Sequence, residues 1–211
     1  MIDLHGAVDR SETPRMEPTA SAERILRIAA TEFVDRGFAQ ASMRHLADAA
    51  GVRPASLYHH FSSKDHLLAM VMCRGIERVT VAFDEVSAEA ATPQDRLRLH
   101  IETHLSCLFD SDPFTRANIT VFPLAPRSVV DETVPYRREY ERRWTGLLDD
   151  IFSFEDDQVT SIRRSMLLGL LNSSLQWFDP KGGASVSELA RHMADLQWAS
   201  NEVDNSTKKS T

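Results

Sequence analysis

The sequence predicts an all-α fold of about nine helices. Three observations carry this prediction: helix-capping residues recur along the chain, apolar residues recur at helical spacing, and no stretch alternates apolar and polar residues at a period of two. Only 8 glycines and 9 prolines occur in 211 residues, which also favours helix, and 42% of the residues are hydrophobic, enough for a core.

The first predicted helix follows a polar N-terminal segment. Residues 1–18 and 202–211 are polar and aperiodic, so we expect a disordered arm and a disordered tail. Ser21 has the chemistry of an N-cap, and apolar residues recur after it at helical spacing as far as Phe33. Gly37 then ends the helix.

Three more helices are predicted in the first half of the chain. Their markers are the N-cap Ser42 and the break Gly51 for the second helix, the first-turn Pro54 for the third, and the capping box of Ser62 and Asp65 for a fourth that runs to about Ala90.

The second half shows the same pattern. Helix starts are predicted at TPQD (92–95), SDPF (111–114), SVVD (128–131), Asp156 and SVSE (185–188). The expected ends are about Phe154 for the helix from residue 128, about Phe178 for the helix before the stop sequence DPKGG, and about Ser200 for the last helix.

Charge is unevenly distributed along the chain. The net charge is −7, yet residues 19–74 hold seven Lys and Arg against five Asp and Glu, so one end is suited to a polyanion. Cys73 and Cys107 lack the paired spacing of a zinc site and are expected to be buried, reduced thiols. The N-terminus lacks the apolar run of a signal peptide, and no segment approaches a membrane span, so we expect a soluble, cytoplasmic protein.

The second and third predicted helices are short and joined by a tight turn at residues 50–52. This is helix-turn-helix geometry, in which the second helix of the pair enters the major groove of DNA. The apolar positions that pack it are Leu46, Ala47, Ala50, Val52, Leu57 and Phe61, and the residues left facing outward are Arg53, Ala55, Ser56, Tyr58, His59 and His60. From periodicity alone, a small three-helix core with a solvated polar face stays open as the alternative.

The outward residues have chemistry that suits DNA. Small side chains let the backbone approach base edges, Arg53 can reach a guanine, and hydroxyl, imidazole and ammonium groups can donate to phosphates. Ser42 and Arg44 stand at a helix N-terminus, where a phosphate binds. The candidate DNA contacts are Ser42, Arg44, Arg53, Pro54, Ala55, Ser56, Tyr58, His59, His60 and Lys64.

Residues 23–72 resemble the DNA-binding domain of the TetR family of bacterial repressors. The resemblance lies in ILRIAATEFVDRGF, SMRHLADAAGV and LYHHFSSKDHLL. It implies a homodimer on a palindromic operator, with phosphate contacts at Ser42, Tyr58, His59 and Lys64 and base contacts within residues 53–56. Arg53 stands where serine or threonine is common in the family, which weakens the helix cap and adds a cation. The expected domains are residues 19–66 for DNA binding and 67–201 for ligand binding and dimerisation.

The family resemblance also implies that the last two helices form the dimer. The side chains at suitable spacing are Met166, Gly169, Leu170 and Ser173, and Leu189, Met193 and Leu196. The alternative is that these residues pack only within one subunit.

Aromatic, methionine and histidine residues of the second half are candidates for an apolar effector site. Those in the candidate ligand set are His100, His104, Phe109, Phe122, Trp144, Met166, Leu170 and Trp177; Phe114 and Phe152 were also considered. Each alone is more typical of ordinary core than of a ligand site. His100, His104 and Cys107 have a spacing that permits a metal, but no nearby further ligand is evident, so pocket lining or core is favoured and no metal or cofactor is expected.

Residues 167–196 are similar to the C-terminal region of TetR-type regulators that sense acyl-CoA thioesters in lipid or steroid catabolism. The matching residues are Asn172, Trp177, Pro180, Gly183, Ser187, Glu188, Leu189 and Asp195. Asp179 replaces an arginine common there, which removes a possible CoA contact. The doublets Arg137–Arg138 and Arg142–Arg143 are either phosphate ligands or a solvated face paired with Glu139 and Glu141.

The sequence therefore favours a ligand-released transcriptional repressor with a lipophilic effector. The alternative effector is a drug-like compound, as for an efflux-pump repressor. From another class, a helical lipid- or protein-binding dimer without DNA binding remains as an alternative. No phosphate-binding glycine loop, nucleophile elbow or HExxH motif supports an enzyme.

Overall fold

The computed structural model describes residues 19–86, 92–110, 112–152 and 157–208, with side chains to residue 200. Within these ranges the chain forms nine α-helices, two short 3₁₀ turns and no strand, so the all-α prediction is confirmed. The helices are α1 (Ala20–Arg36), α2 (Met43–Ala49), α3 (Pro54–His60), α4 (Lys64–Asp84), α5 (Pro93–Phe109), α6 (Pro113–Thr120), α7 (Arg127–Phe152), α8 (Asp157–Ser173) and α9 (Val186–Lys208). None of the described helices is both long and apolar enough to span a membrane. The predicted arm, residues 1–18, lies outside the described residues.

Several predicted helix starts are confirmed by their capping bonds. Ser42, Thr92 and Asp112 accept backbone N–H bonds at the starts of α2, α5 and α6. Ser185 and Glu188 form a reciprocal capping box ahead of α9, with Glu188 N–H donating to Ser185 Oγ at 3.1 Å. Prolines occupy the first turns of α3, α5 and α6, where their missing N–H is not needed.

Three predicted caps were wrong by one or two residues. The N-cap of α1 is Thr19 and not Ser21, and the N-cap of α4 is Ser63 and not Ser62. Neighbouring hydroxyl residues have the same capping chemistry, so packing selects between them. α7 begins at Arg127, and Ser128 donates to the Asp65 carboxylate at 2.9 Å and so ties α7 to α4.

Several predicted helix ends also differ. α4 ends at Asp84 and not near Ala90, and α8 ends at Ser173, where a 3₁₀ turn replaces the expected continuation to Phe178. α9 continues to Lys208, past the expected end at Ser200, so the prediction of a disordered tail was wrong for residues 202–208. The expected end at Phe154, and the starts at Ser111 and Asp156, lie outside the described residues.

Two hydrophobic cores share α4. The head core holds the buried residues of α1–α4 together with Phe114, Ala117, Val121 and Val129 from α6, its C-terminus and α7. The body core surrounds Trp144 and holds buried residues of α5, α7, α8, α9 and the second half of α4. The expected domain division after residue 66 stays a prediction, and the head core extends across it.

α4 and α6 approach closely at Gly75. A Cβ at this position would meet the Phe114 carbonyl oxygen far inside normal contact distance, so only glycine fits. The Asn118 side chain bridges the two helices, donating to the Met72 carbonyl at 2.8 Å. Arg137 of α7 donates in turn to the Asn118 carbonyl oxygen at 2.9 Å, so three helices are joined at this point.

Asp112 forms a second joint between head and body. Its carboxylate is 5% exposed and caps α6 by accepting the Phe114 N–H at 3.1 Å. It also accepts hydrogen bonds from Arg27 of α1 at 2.9 Å and from Arg78 of α4 at 2.7 Å. Through these charge-assisted hydrogen bonds this one residue links three helices.

Candidate nucleic-acid interface and ligand site

The α2–α3 pair packs on a core of buried apolar side chains. Leu46, Leu57 and Phe61 are 1%, 0% and 3% exposed. The turn between the helices depends on Gly51, whose φ of 63° lies in the left-handed region that glycine tolerates best. Arg24 of α1 donates to the Ala50 carbonyl oxygen at 2.7 Å and so holds the C-terminus of α2. The orientation of α3 is therefore determined by packing and by this bond.

The predicted outer face of α3 is on the surface. Tyr58 is 54% exposed, His60 is half-buried, and the other predicted contacts of α3 and its N-cap are exposed: Arg53, Pro54, Ala55, Ser56 and His59. The Arg53 side chain makes no capping bond, so its guanidinium is not used to stabilise the helix. This arrangement leaves donors and small side chains available to a groove.

The remaining predicted DNA contacts differ in exposure and in whether their polar groups already form hydrogen bonds within the protein. Arg44 is exposed, whereas the Ser42 oxygen already accepts the His45 N–H at 3.1 Å. Lys64 is half-buried: its Nζ donates to the Phe38 carbonyl oxygen at 2.9 Å and lies 4.2 Å from the centroid of the Phe38 ring. Lys64 thus stabilises the turn after α1 and keeps only its remaining N–H donors for a phosphate.

Arg24 was missed by the sequence reasoning. It precedes its acceptor by 26 residues. No local spacing rule connects two positions so far apart, and only the packing of α1 against α2 brings them together.

The centre of the body is a cluster of rings around Trp144, which is fully buried. The ring centroids lie 5.1 Å from Trp144 for Phe83, 6.5 Å for His100, 6.3 Å for His104 and 6.4 Å for Tyr140. We call these five residues the ring cluster. The Trp144 indole N–H is buried and interacts with the Tyr140 hydroxyl, whose pKa it acts to lower.

The imidazole of His104 is held as a neutral ring with both nitrogens bonded. Because an amide oxygen only accepts, Nε2–H donates to Asn172 Oδ1 at 3.2 Å, and the Tyr140 hydroxyl then donates to Nδ1 at 2.8 Å. Burial lowers the pKa of His104 to about 4 and raises the pKa of Tyr140. Burial also lowers the pKa of His100, whose Nδ1–H donates to the Arg96 carbonyl oxygen at 2.8 Å.

The buried His104 predicts a loss of stability in acid. The unfolded chain binds a proton on this histidine near pH 6.5, whereas the folded chain does so only near pH 4. The free energy of unfolding should therefore fall by about 1.4 kcal/mol per pH unit as the pH drops through this window. Urea denaturation at pH 7 and pH 5 measures the fall. The His104→Asn variant lacks this contribution but keeps that of His100, so its free energy of unfolding should fall less between pH 7 and pH 5. An equal fall in the variant and the wild type would contradict the assignment to His104.

The described residues offer no set of ligands for the metal site that was considered as an alternative. Among the residues whose placement is known, no group of three His, Cys, Asp or Glu is close enough to hold a metal ion. Burial raises the pKa of Cys107, and both nitrogens of His104 are already bonded.

The candidate ligand residues do not all meet. Leu170 and Phe109 are half-buried against the body core, and Phe109 packs on Phe178 with ring centroids 5.3 Å apart. Phe122 belongs with the head core, where the Arg137 guanidinium lies 3.5 Å from its ring centroid, and Phe114 is likewise in that core. Those two residues therefore do not line the same space as Trp144.

Met166 and Trp177 correct the predicted ligand site. They are 65% and 57% exposed, so they lie on the surface and not among the rings of the body core. Aromatic or methionine identity alone does not tell an inner from an outer helix face.

The arginine doublets of α7 are largely used within the chain. Arg142 and Arg143 both pair with Glu139, and Arg143 also pairs with Asp84 at 2.7 Å. Arg137 is packed between Phe122 and Asn118, and burial lowers its pKa. These contacts favour the paired-face interpretation for Arg142 and Arg143; Arg137 is instead packed within the protein, and Arg138 is exposed.

α8 presents an apolar stripe to solvent. Val159, Ile162 and Met166 are 38%, 51% and 65% exposed, and the exposed Gly169 continues the same helical spacing. Leu196 of α9 is 62% exposed. We call these five residues the α8–α9 face. Leu189 and Met193, which were expected in the dimer, are 9% and 2% exposed and pack within the body core, so this part of the prediction was wrong.

Known proteins match both parts of the chain. The family model described as "Bacterial regulatory proteins, tetR family" matches residues 25–71, and that described as "Tetracyclin repressor-like, C-terminal domain" matches residues 90–199. The transcriptional repressor KstR2 of Mycolicibacterium smegmatis is 24% identical over 189 residues, covering 85% of this chain and 89% of the relative.

Solved structures share the fold. The TetR-family regulator PfmR of Thermus thermophilus has a TM-score of 0.69 at 27% identity, covering 82% of this chain and 96% of its own. AibR in complex with isovaleryl coenzyme A and operator DNA has a TM-score of 0.66 at 20% identity, covering 83% and 97%. The chain therefore belongs to the TetR family of bacterial regulatory proteins, which are DNA-binding regulators of transcription and not enzymes.

Proposed function

We propose that this protein is a repressor that binds a palindromic operator as a homodimer in the bacterial cytoplasm and is released by a lipophilic small molecule. The observation that carries the proposal is the exposed polar face of α3, mounted on the buried residues Leu57 and Phe61. Packing of α3 alone does not require Tyr58 to be 54% exposed, whereas an exposed hydroxyl on this face is well placed to donate to a phosphate.

The dimer is proposed to form through the α8–α9 face. Exposed apolar side chains recur there at the spacing of a helix–helix seam, and exposed Gly169 allows close approach. A two-fold dimer would place the two α3 helices for successive major grooves, about 34–36 Å apart or a multiple of that distance. The alternative of a helical dimer without DNA binding leaves the α3 face unexplained.

Release is proposed to act through α4, because this helix contributes to both cores. A ligand among the rings of the body core would shift the second half of α4, while Gly75 and Asp112 tie the same helix to α6 and α1. The ligand can act only through its preference for the conformation that does not fit the operator.

The effector is proposed to be an apolar compound, with an acyl-CoA thioester or a drug-like molecule as the two candidates. The structure of AibR in complex with isovaleryl coenzyme A and operator DNA is compatible with the thioester. Because Arg142 and Arg143 pair with Glu139 within the chain, we infer that a CoA phosphate would need other cations.

Substitutions on α3 test operator binding. Tyr58→Ala and Arg53→Ala should each weaken operator binding about ten-fold or more, because a phosphate contact and a base contact are lost. Fluorescence anisotropy with a labelled duplex from the DNA upstream of the gene measures this. Arg138→Ala is the matched control, since it removes an exposed arginine from α7, and it should bind as the wild type does.

Two outcomes would contradict the proposed interface. One is operator binding that is unchanged in both α3 variants. The other is an equal loss in Arg138→Ala, which would indicate attraction by overall charge and not recognition by α3.

A further inference from the structure

The α2–α3 pair has little apolar surface to hold it in one orientation. In these two seven-residue helices, which lie wholly within the described residues, the buried side chains are Leu46, Ala47 and Leu57. Because the hydrophobic effect is not directional, so small a contact keeps the pair on α1 without fixing its rotation. Hydrogen bonds can fix the rotation, since their energy falls steeply with distance and angle.

The C-terminal end of α2 is bonded to α1 through Arg24. Its Nη1–H donates to the Ala50 carbonyl oxygen at 2.7 Å, and Ala50 itself is 1% exposed. A cationic side chain is favourable at this end of a helix, where carbonyl oxygens lack partners within the helix. Ala50 directly precedes Gly51 of the turn, so this bond holds the point from which the chain departs toward α3.

The N-terminal end of α2 is bonded to α1 through His45 and Glu32. Because a carboxylate only accepts, His45 Nε2–H donates to Glu32 Oε2, at 2.5 Å. The backbone N–H of His45 donates to Ser42 Oγ at 3.1 Å, so the histidine is held at both its backbone and its side chain. Arg36, one turn further along α1, keeps Glu32 in place with its Nε 2.9 Å from the same carboxylate oxygen.

The two bonds lie at opposite ends of α2 and eight residues apart on α1. Eight residues of helix span about 12 Å. A single bond would act as a pivot, whereas two bonds separated along both helices oppose rotation and tilt of α2. Since a turn of three residues connects α2 to α3, a fixed α2 also determines where Arg53 and Ser56 stand on the surface.

We propose that Arg24, Glu32 and His45 are positioning residues for operator recognition, acting through the orientation of the α2–α3 pair and not on the bases. The inference rests on the proposed operator binding and adds residues outside α3 that control it. Base contacts depend on hydrogen-bond distances and angles, whereas attraction between cations and phosphates tolerates small displacements. Loss of either bond should therefore reduce discrimination between operator and other DNA more than it reduces binding to DNA in general.

Two substitutions of His45 test the inference in the full-length protein. His45→Met removes the donor, whereas His45→Gln keeps an N–H that can reach Glu32; both new side chains are neutral and favour helix. Fluorescence anisotropy measures Kd for a labelled duplex from the DNA upstream of the gene and for a scrambled duplex of the same length and composition. His45→Met should lower the ratio of scrambled to upstream Kd about ten-fold, the size of one impaired base contact, and His45→Gln should restore most of it.

Arg24→Met tests the bond at the other end of α2. It should also lower the ratio of the two Kd values about ten-fold. Arg138→Met is the matched control, because it removes the same charge from an exposed position on α7 and should leave the ratio at the wild-type value. The comparison separates the orientation of α3 from a change in overall attraction to DNA.

The outcomes separate the positioning role from simple loss of folded protein. An unchanged ratio in His45→Met or in Arg24→Met overturns the inference for that bond, and equal falls in His45→Met and His45→Gln overturn the role of the bond to Glu32. Equal weakening toward both duplexes also overturns it, because that pattern reports a smaller folded fraction. A wild-type protein that binds both duplexes equally overturns the proposed operator binding itself.

Discussion

Replacing Gly75 with alanine is expected to lower the free energy of unfolding by about 1–3 kcal/mol, the cost of overpacking a close helix contact. The new methyl group would collide with the Phe114 carbonyl oxygen, a backbone atom that cannot move aside without displacing α6. Thermal and urea denaturation measure the loss, and each kcal/mol corresponds to a drop in Tm of about 2–4 °C for a chain of this size.

Gly146→Ala is the matched control for this substitution. Gly146 lies in α7, is exposed, and has no atom within 4 Å of an added Cβ. Alanine there should raise stability slightly because it is a better helix former than glycine. Equal effects of the two substitutions would show that helix propensity and not the α4–α6 contact governs position 75.

The second large effect is expected on assembly. Met166→Asp should convert a dimer into a monomer, because a two-fold interface would bury two aspartates, one from each subunit, against apolar surface. Sedimentation velocity measures the change. Affinity for the full palindromic operator should fall at least about 100-fold, since each monomer would then hold only one half-site.

An exposed leucine outside α8 and α9 provides the control for assembly. Leu124→Asp places the same charge at a side chain that is 84% exposed and lies outside α8 and α9. It should remain dimeric and bind the operator as the wild type does. A Met166→Asp protein that still sediments as a dimer would place the interface elsewhere. The variant Met166→Lys controls for an ion pair between the new aspartate and exposed Arg191 of α9, which would preserve the dimer.

Local patterns predicted the helices and the outer face of α3. Capping chemistry and 3.6-residue spacing act over a few residues, so the starts at Ser42, Thr92 and Asp112 were readable from the sequence. The exposure of Tyr58 and Arg53 followed from the burial of Leu57, since one amphipathic helix has one inner face.

Contacts between distant segments were not predictable in this way. A helix start was expected at SDPF (111–114), but the bonds of Asp112 to Arg27 and Arg78 join residues 85 and 34 positions apart. Met166 and Trp177 have the composition of a ligand site but face outward, because apolar identity does not distinguish an internal core from an interface between subunits.

The extension of the head core into α6 and α7 bears on how such regulators diverge. Phe114 and Val129 are as deeply buried in the head core as Phe33 is. Recombination at the end of α3 would separate these partners and leave hybrid proteins with mismatched interiors. New operator preferences should therefore arise mainly by point substitution on the outer face of α3, where side chains such as Ser56 can change without disturbing any packed neighbour.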